Sequence, residues 1–206
     1  MKNSSITALI IVNTIPIFGV IFFEWSLFAL MFFYWLENVV IGFYNILKMN
    51  KAKGTDPIEK GIRIVSFGKV SYNNNKSAFI SFFLFHYGLF MLVHGIFIFA
   101  LFGPPNIPVF NLLIGVISLF ISHGFSYFEN FIGKEEYKRV SPANLFGQPY
   151  NRLIVMHITI IFGGAMFKIF GLPVLSILLL VILKTIIDVY SHKLEHKKFS
   201  LITTLK

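Results

Sequence analysis

The chain has 206 residues and a formal net charge of +9, with 56% apolar residues, 26 phenylalanines and only 13% charged residues. A soluble domain carries about 25% charged residues, so this composition excludes an ordinary soluble core and makes lipid the natural solvent. There is no cysteine, which excludes disulfides, iron–sulfur clusters, thiolate zinc sites and cysteine nucleophiles together.

A membrane-spanning helix needs ~20 mostly apolar residues, and six stretches qualify: Ser5–Phe23, Ser26–Leu47, Ala78–Phe102, Ile107–Phe128, Tyr150–Phe170 and Leu172–Ser191. The first lies behind Lys2 and contains Pro16, which a membrane helix tolerates. It is long for a signal-peptide core and lacks a small-x-small cleavage site, so it is expected to be retained. The odd-numbered connections are short: Glu24-Trp25, Gly103-Pro104-Pro105-Asn106 and the Gly171/Pro173 turn. None of them holds Lys or Arg.

The even-numbered connections are long and basic. Residues 48–77 carry Lys48, Lys51, Lys53, Lys60, Arg63, Lys69 and Lys76; residues 129–149 carry Lys134, Lys138 and Arg139, with Arg152 just beyond. The tail, 193–206, adds Lys193, Lys197, Lys198 and Lys206. Positive loops stay inside. Loop length and charge therefore agree on an all-α, polytopic protein of the cell membrane with six transmembrane helices, both termini and the long loops being cytoplasmic. Residues 1–206 form a single transmembrane domain. Within the first long loop, Thr55-Asp56-Pro57 and Glu59 read as the start of a short interfacial helix running through Phe67. The basic residues flank helix ends and meet anionic headgroups, with no basic stripe interleaved with exposed aromatics, so nucleic acid is not an expected partner.

Ionisable residues inside a membrane are costly and mark function by default. Here they are Glu37, His86, His94, His123, His157, Lys184 and Asp188, with His192 one turn further on. A rise of 1.5 Å per residue converts position to depth. Counted from the nearest charged residue at the cytoplasmic edge, His86 lies ~15 Å in, His123 ~9 Å, His157 ~8 Å and Asp188 ~8 Å. Glu37 lies ~16 Å and Lys184 ~14 Å in, while His94, at ~27 Å, approaches the outer face. Lys184, Asp188 and His192 follow i, i+4, i+8 and share one helix stripe. Bundles build metal sites from such stripes together with histidines of neighbouring helices. His86, His123, His157, Asp188 and His192 are therefore the candidate metal ligands, and imidazole with carboxylate suits zinc or iron. Equal depth pairs Glu37 with Lys184 as a buried ion pair; Glu37 is also the candidate general base if it stands near the metal. The Gly163-Gly164 pair and the stripe Gly115, Ser118, Ser122 read as close helix packing. His192-Lys193-Leu194-Glu195-His196 matches an inverted zinc-protease pattern, but it sits in a charged tail with no downstream carboxylate ligand.

The runs Phe33-Tyr34-Trp35-Leu36-Glu37-Asn38, His86-Tyr87-Gly88-Leu89-Phe90 with His94-Gly95-Ile96-Phe97, Pro149-Tyr150-Asn151-Arg152 with His157, and Lys184 with Asp188 resemble an uncharacterised family of archaeal and bacterial integral membrane proteins. The resemblance covers nearly the whole chain. It implies a six-helix membrane fold and a prokaryotic origin, and it implies no activity.

The residues themselves lead to an intramembrane metal-binding protein, a zinc-hydrolase-like or iron-oxidase-like enzyme acting on a lipid or membrane-embedded substrate near the cytoplasmic face. A proton or divalent-metal transporter is the alternative, with Glu37, Lys184 and the histidines as a relay, although no internal repeat supports it. A structural or assembly protein, with the polar residues as helix glue, is the third. Oligomeric state is not legible in the sequence.

Overall fold

The computed structural model describes residues 22, 26–54, 64–66, 69–71, 76–103, 107–171, 178, 179, 181–183, 185 and 186. The described residues are all-α apart from one small ladder. Helix α1 spans Leu27–Lys51, α2 spans Lys76–Phe102 and α3 spans Val109–Ser126, continuing as a π-helical turn, Tyr127–Gly133. After a single 3₁₀ turn, Glu136–Lys138, come the short α4, Pro142–Gly147, and then α5, Tyr150–Ile158. A second π-helical turn, Thr159–Gly163, leads into α6, Gly164–Phe170.

Among the described residues, four helical segments are long and apolar enough to cross a membrane: Leu27–Lys51, Lys76–Phe102, Val109–Gly133 and Pro142–Phe170. They correspond to the second to fifth predicted spans. Of the first, Ser5–Phe23, only Phe22 is described; of the sixth, Leu172–Ser191, residues 178, 179, 181–183, 185 and 186 are described, and all are helical. The observed helices run longer than predicted at their charged ends. Lys48 and Lys51 fall inside the last turn of α1, where ammonium groups complement the helix dipole. Glu129 is enclosed by the π-helical turn rather than standing beyond the helix.

The helix ends follow local chemistry. Gly103 closes α2 at φ +90° and Gly171 closes α6 at φ +63°, the left-handed conformation that glycine adopts without a Cβ penalty. At α4, the Ser141 hydroxyl accepts from the Asn144 backbone N–H at 3.1 Å and proline occupies the first turn, a capped start.

The interfacial helix expected through Phe67 does not extend that far. Ile64–Ser66 pairs antiparallel with Lys69–Ser71, with Val65 opposite Val70. β-branched residues on either side of a two-residue link ending in glycine favour a strand pair over a helix. The proposed start of that helix, 55–63, lies outside the described residues.

The packing divides into two compact units. One comprises Phe33–Gly95 and Ile107–Tyr150; the other comprises Met1–Phe32, Ile96–Asn106 and Asn151–Lys206. In the first, Phe83, Tyr87, Met49, Val40, Leu145 and Phe131 are buried. Phe83 stacks on Tyr87 at 4.8 Å and meets Phe146 and Tyr150 edge-on. In the second, Met31, Ile98, Met156 and Ile160 are fully buried, and the Phe28 ring meets Phe99 edge-on. A Cβ at Gly164 would come within 2.6 Å of Leu101, as close helix packing there requires. Gly115 likewise lies against the Phe33 ring. Ser118 and Ser122, expected to continue that stripe, are exposed instead.

Candidate functional site

Helix α1 presents two polar stripes of period seven. Asn38 and Asn45 form one; Glu37 and Tyr44 form the other. The first stripe is structural. Asn38 donates to the Tyr34 carbonyl at 2.8 Å, and its own carbonyl accepts from the Tyr87 hydroxyl at 2.9 Å. Asn45 donates to the Leu145 carbonyl at 3.0 Å, tying α1 to α4. Trp35 donates through Nε1 to the Met91 carbonyl at 2.7 Å, and its ring lies where Gly95 leaves room. Each of these bonds uses the second lone pair of a backbone carbonyl, so a side-chain donor is satisfied without breaking a helix.

The second stripe faces α3. Oε1 of Glu37 lies 3.8 Å from Nε2 of His123, with about a quarter or less of each side chain exposed. Tyr44 lies one helical repeat along, its hydroxyl donating to the Phe120 carbonyl at 2.9 Å and its ring 6.5 Å from the His123 ring. Gly124 makes room for it: a Cβ there would sit 2.6 Å from the Tyr44 hydroxyl. The Glu37–His123 separation is too long for a direct hydrogen bond, which needs roughly 2.7–3.2 Å. Two ligands held at ~2.0–2.2 Å on one tetrahedral ion stand roughly 3.3–3.6 Å apart. The observed spacing is slightly wider than that bite.

Counting depth from Glu129 set His123 shallower than Glu37. Because the helix runs on to Gly133, the first lysine beyond its end is Lys134, eleven residues from His123. Lys48 is likewise eleven residues from Glu37, so both lie ~16 Å from their lysines. Lys184, the partner equal depth suggested for Glu37, lies outside the described residues.

The other histidines have separate surroundings. His86 shares a 2.8 Å hydrogen bond between Nδ1 and the Tyr150 hydroxyl, and its ring lies 5.3 Å from Phe82 and 5.0 Å from Phe90. His94 is buried and donates through Nδ1 to the Phe90 carbonyl at 2.6 Å, one turn back on its own helix. His157, on α5, is exposed. Among the described residues no three His, Asp or Glu side chains gather closely enough to hold a metal ion, so His86, His123 and His157 do not make a three-ligand set by themselves. Asp188 and His192 lie outside the described residues.

Reasoning from ionisable groups alone passed over Tyr44, Tyr87, Trp35 and Tyr150. The signal that finds Tyr44 is spacing: Tyr44 follows Glu37 by seven, as Asn45 follows Asn38, and such repeats share a helix face.

These features define an all-α protein that has, among the described residues, four helices long and apolar enough to cross a membrane, cross-linked by side-chain donors and carrying a carboxylate–imidazole pair between helices. The chain belongs to a family of unknown function (DUF6498), whose model matches residues 1–203. No curated protein and no solved structure matches it.

Proposed function

We propose that this is a multi-pass protein of the cell membrane with six spans, its termini and its loops 48–77 and 129–149 in the cytoplasm, and that its work is metal-dependent chemistry on a lipid or membrane-embedded substrate. The observation that carries the reading is the Glu37–His123 pair, a carboxylate and an imidazole 3.8 Å apart between apolar helices, with about a quarter or less of each side chain exposed. His123 is the ligand to a divalent ion, zinc or iron. Such an ion would supply Lewis-acid activation of water, and Glu37 would be the general base beside it. Asp188 and His192, outside the described residues, are the further ligands that the sequence proposes.

Purified protein, washed free of loose ions, is expected to retain near-stoichiometric zinc or iron by elemental analysis. His123→Ala should abolish retention, whereas His94→Ala and His196→Ala should leave it unchanged. Metal-free wild-type protein would sink the reading. Topology has its own test, made clean by the lack of native cysteine. Single cysteines at Lys60, Glu136 and Lys198 should all label from the cytoplasmic side only, and labelling of any one from outside would contradict the six-span arrangement.

The Glu37–His123 approach also supports a second reading. In it, Glu37 and His123 pass a proton between helices as part of a transport relay. Metal-free protein that moves protons across proteoliposomes, and stops on Glu37→Gln, would establish that reading over the first.

A further inference from the structure

The segment following α1 is pinned to the turn following α3. The Lys53 backbone N–H donates to the Tyr137 carbonyl at 2.7 Å, and the Gly54 N–H donates to the Val140 carbonyl at 3.0 Å. A Cβ at residue 54 would stand 2.6–2.7 Å from the backbone of Arg139 and Val140, so only glycine permits this approach. Glu135 holds a left-handed turn at φ 55°, a conformation that costs a non-glycine residue of order 1 kcal/mol.

The result of this pinning is a cluster of like charges. The ammonium groups of Lys51, Lys53 and Lys138 stand 5.7, 5.8 and 5.9 Å from the centre of one ring, Tyr137. Lys48 stands 5.6 Å from the neighbouring Phe131 ring. Among the described residues, Lys138 has a carboxylate partner, Glu135 at 2.5 Å, which holds its pKa above the usual lysine range by hydrogen bonding. An aromatic face attracts a cation, but three ammonium groups around one ring repel one another, and an anion relieves that repulsion. The place selects the anion. Lys51 is the last residue of one long apolar helix, and Tyr137 follows closely on the end of another, whose Phe125 and Phe128 are exposed. That is the level of lipid headgroups rather than of bulk solvent.

We propose that Lys51, Lys53 and Lys138, gathered around Tyr137, form a binding site for the phosphate headgroup of an anionic phospholipid. The inference rests on the membrane reading above, and it adds a defined site to the general basic bias of the loops. Headgroup phosphate sits between the ammonium groups, and the acyl chains run down the exposed apolar surface beside Phe128.

The test uses the full chain, delipidated in a neutral detergent, with short-chain phosphatidylglycerol as probe and native mass spectrometry as readout. Short-chain phosphatidylcholine and inorganic phosphate are the other arms. Phosphatidylglycerol should bind saturably and phosphatidylcholine should not. Each of Lys51→Gln, Lys53→Gln and Lys138→Gln should weaken binding about fivefold, the equivalent of ~1 kcal/mol per basic residue at a membrane surface. Lys168→Gln, an exposed lysine in α6, should have no effect. Equal binding of both lipids, or an equal loss with Lys168→Gln, would overturn the site. Inorganic phosphate that binds as tightly as the lipid would overturn the lipid as its ligand. Failure of the membrane reading would show separately, as release of the protein from cell membranes by alkaline carbonate.

Discussion

Leu27–Lys51 and Val109–Gly133 are both 25 residues long, and both are apolar enough to cross a membrane, yet 39% of the most apolar stretch of the first is buried against 6% of the second. The difference lies in their polar residues. The first carries Trp35, Asn38, Tyr44 and Asn45, each hydrogen-bonded to a carbonyl across or along the packed face. The second offers Gly115, Gly124 and His123 to α1 and otherwise turns Phe110, Ile121, Phe125 and Phe128 outward. Lipid tails are as apolar as leucine, so apolarity cannot tell a packed helix from a lipid-facing one; close fit and interhelical hydrogen bonds do.

The comparison can be broken by substitution. The largest effect is expected from Phe83→Ala, which empties a fully buried site beside Tyr87, Phe146 and Tyr150. It should cost about 3–5 kcal/mol, read as a lowered unfolding midpoint in detergent. Gly54→Ala comes next. Its new methyl meets backbone rather than a yielding side chain, so a loss of about 1–3 kcal/mol is expected, together with weaker phosphatidylglycerol binding because the lysine cluster is displaced. Asn45→Ala removes the bond to Leu145. Interhelical bonds of this kind contribute about 0.6–1.7 kcal/mol in membranes, and a calorimetric or chemical unfolding series should place it there. The smallest effect belongs to Phe125→Ala, on the exposed face of α3, which should change stability by less than ~0.5 kcal/mol. A loss there as large as that of Phe83→Ala would mean that another chain or helix covers the face.

For Glu37 and His123 the informative measurement is a double-mutant cycle with Glu37→Gln and His123→Gln. Groups in contact, or sharing an ion, should show coupling of at least ~0.5 kcal/mol, and strict additivity would show that the 3.8 Å approach carries no energy.

The sequence by itself determined the class of helix, the places of the turns and the identity of the polar residues. Each of these depends on local quantities: apolar content over ~20 residues, glycine at left-handed positions such as Gly103 and Gly171, and lysines at helix ends. Depth counting puts Glu37, His86, His94, His123 and His157 in helices that the structure shows, and its pairing of Glu37 with Lys184 falls outside the described residues. Glu129, a charged residue that marks a helix edge in the sequence, lies within the continuing turn. Only the tertiary structure decided that His123 faces Glu37, that His86 is bonded to Tyr150 while His157 is exposed, and that three lysines from two segments meet at Tyr137. Those outcomes depend on helix rotation and on contacts between residues up to about ninety positions apart in sequence. Period and hydropathy are averages along one helix, and they carry no information about the azimuth at which a neighbouring helix arrives.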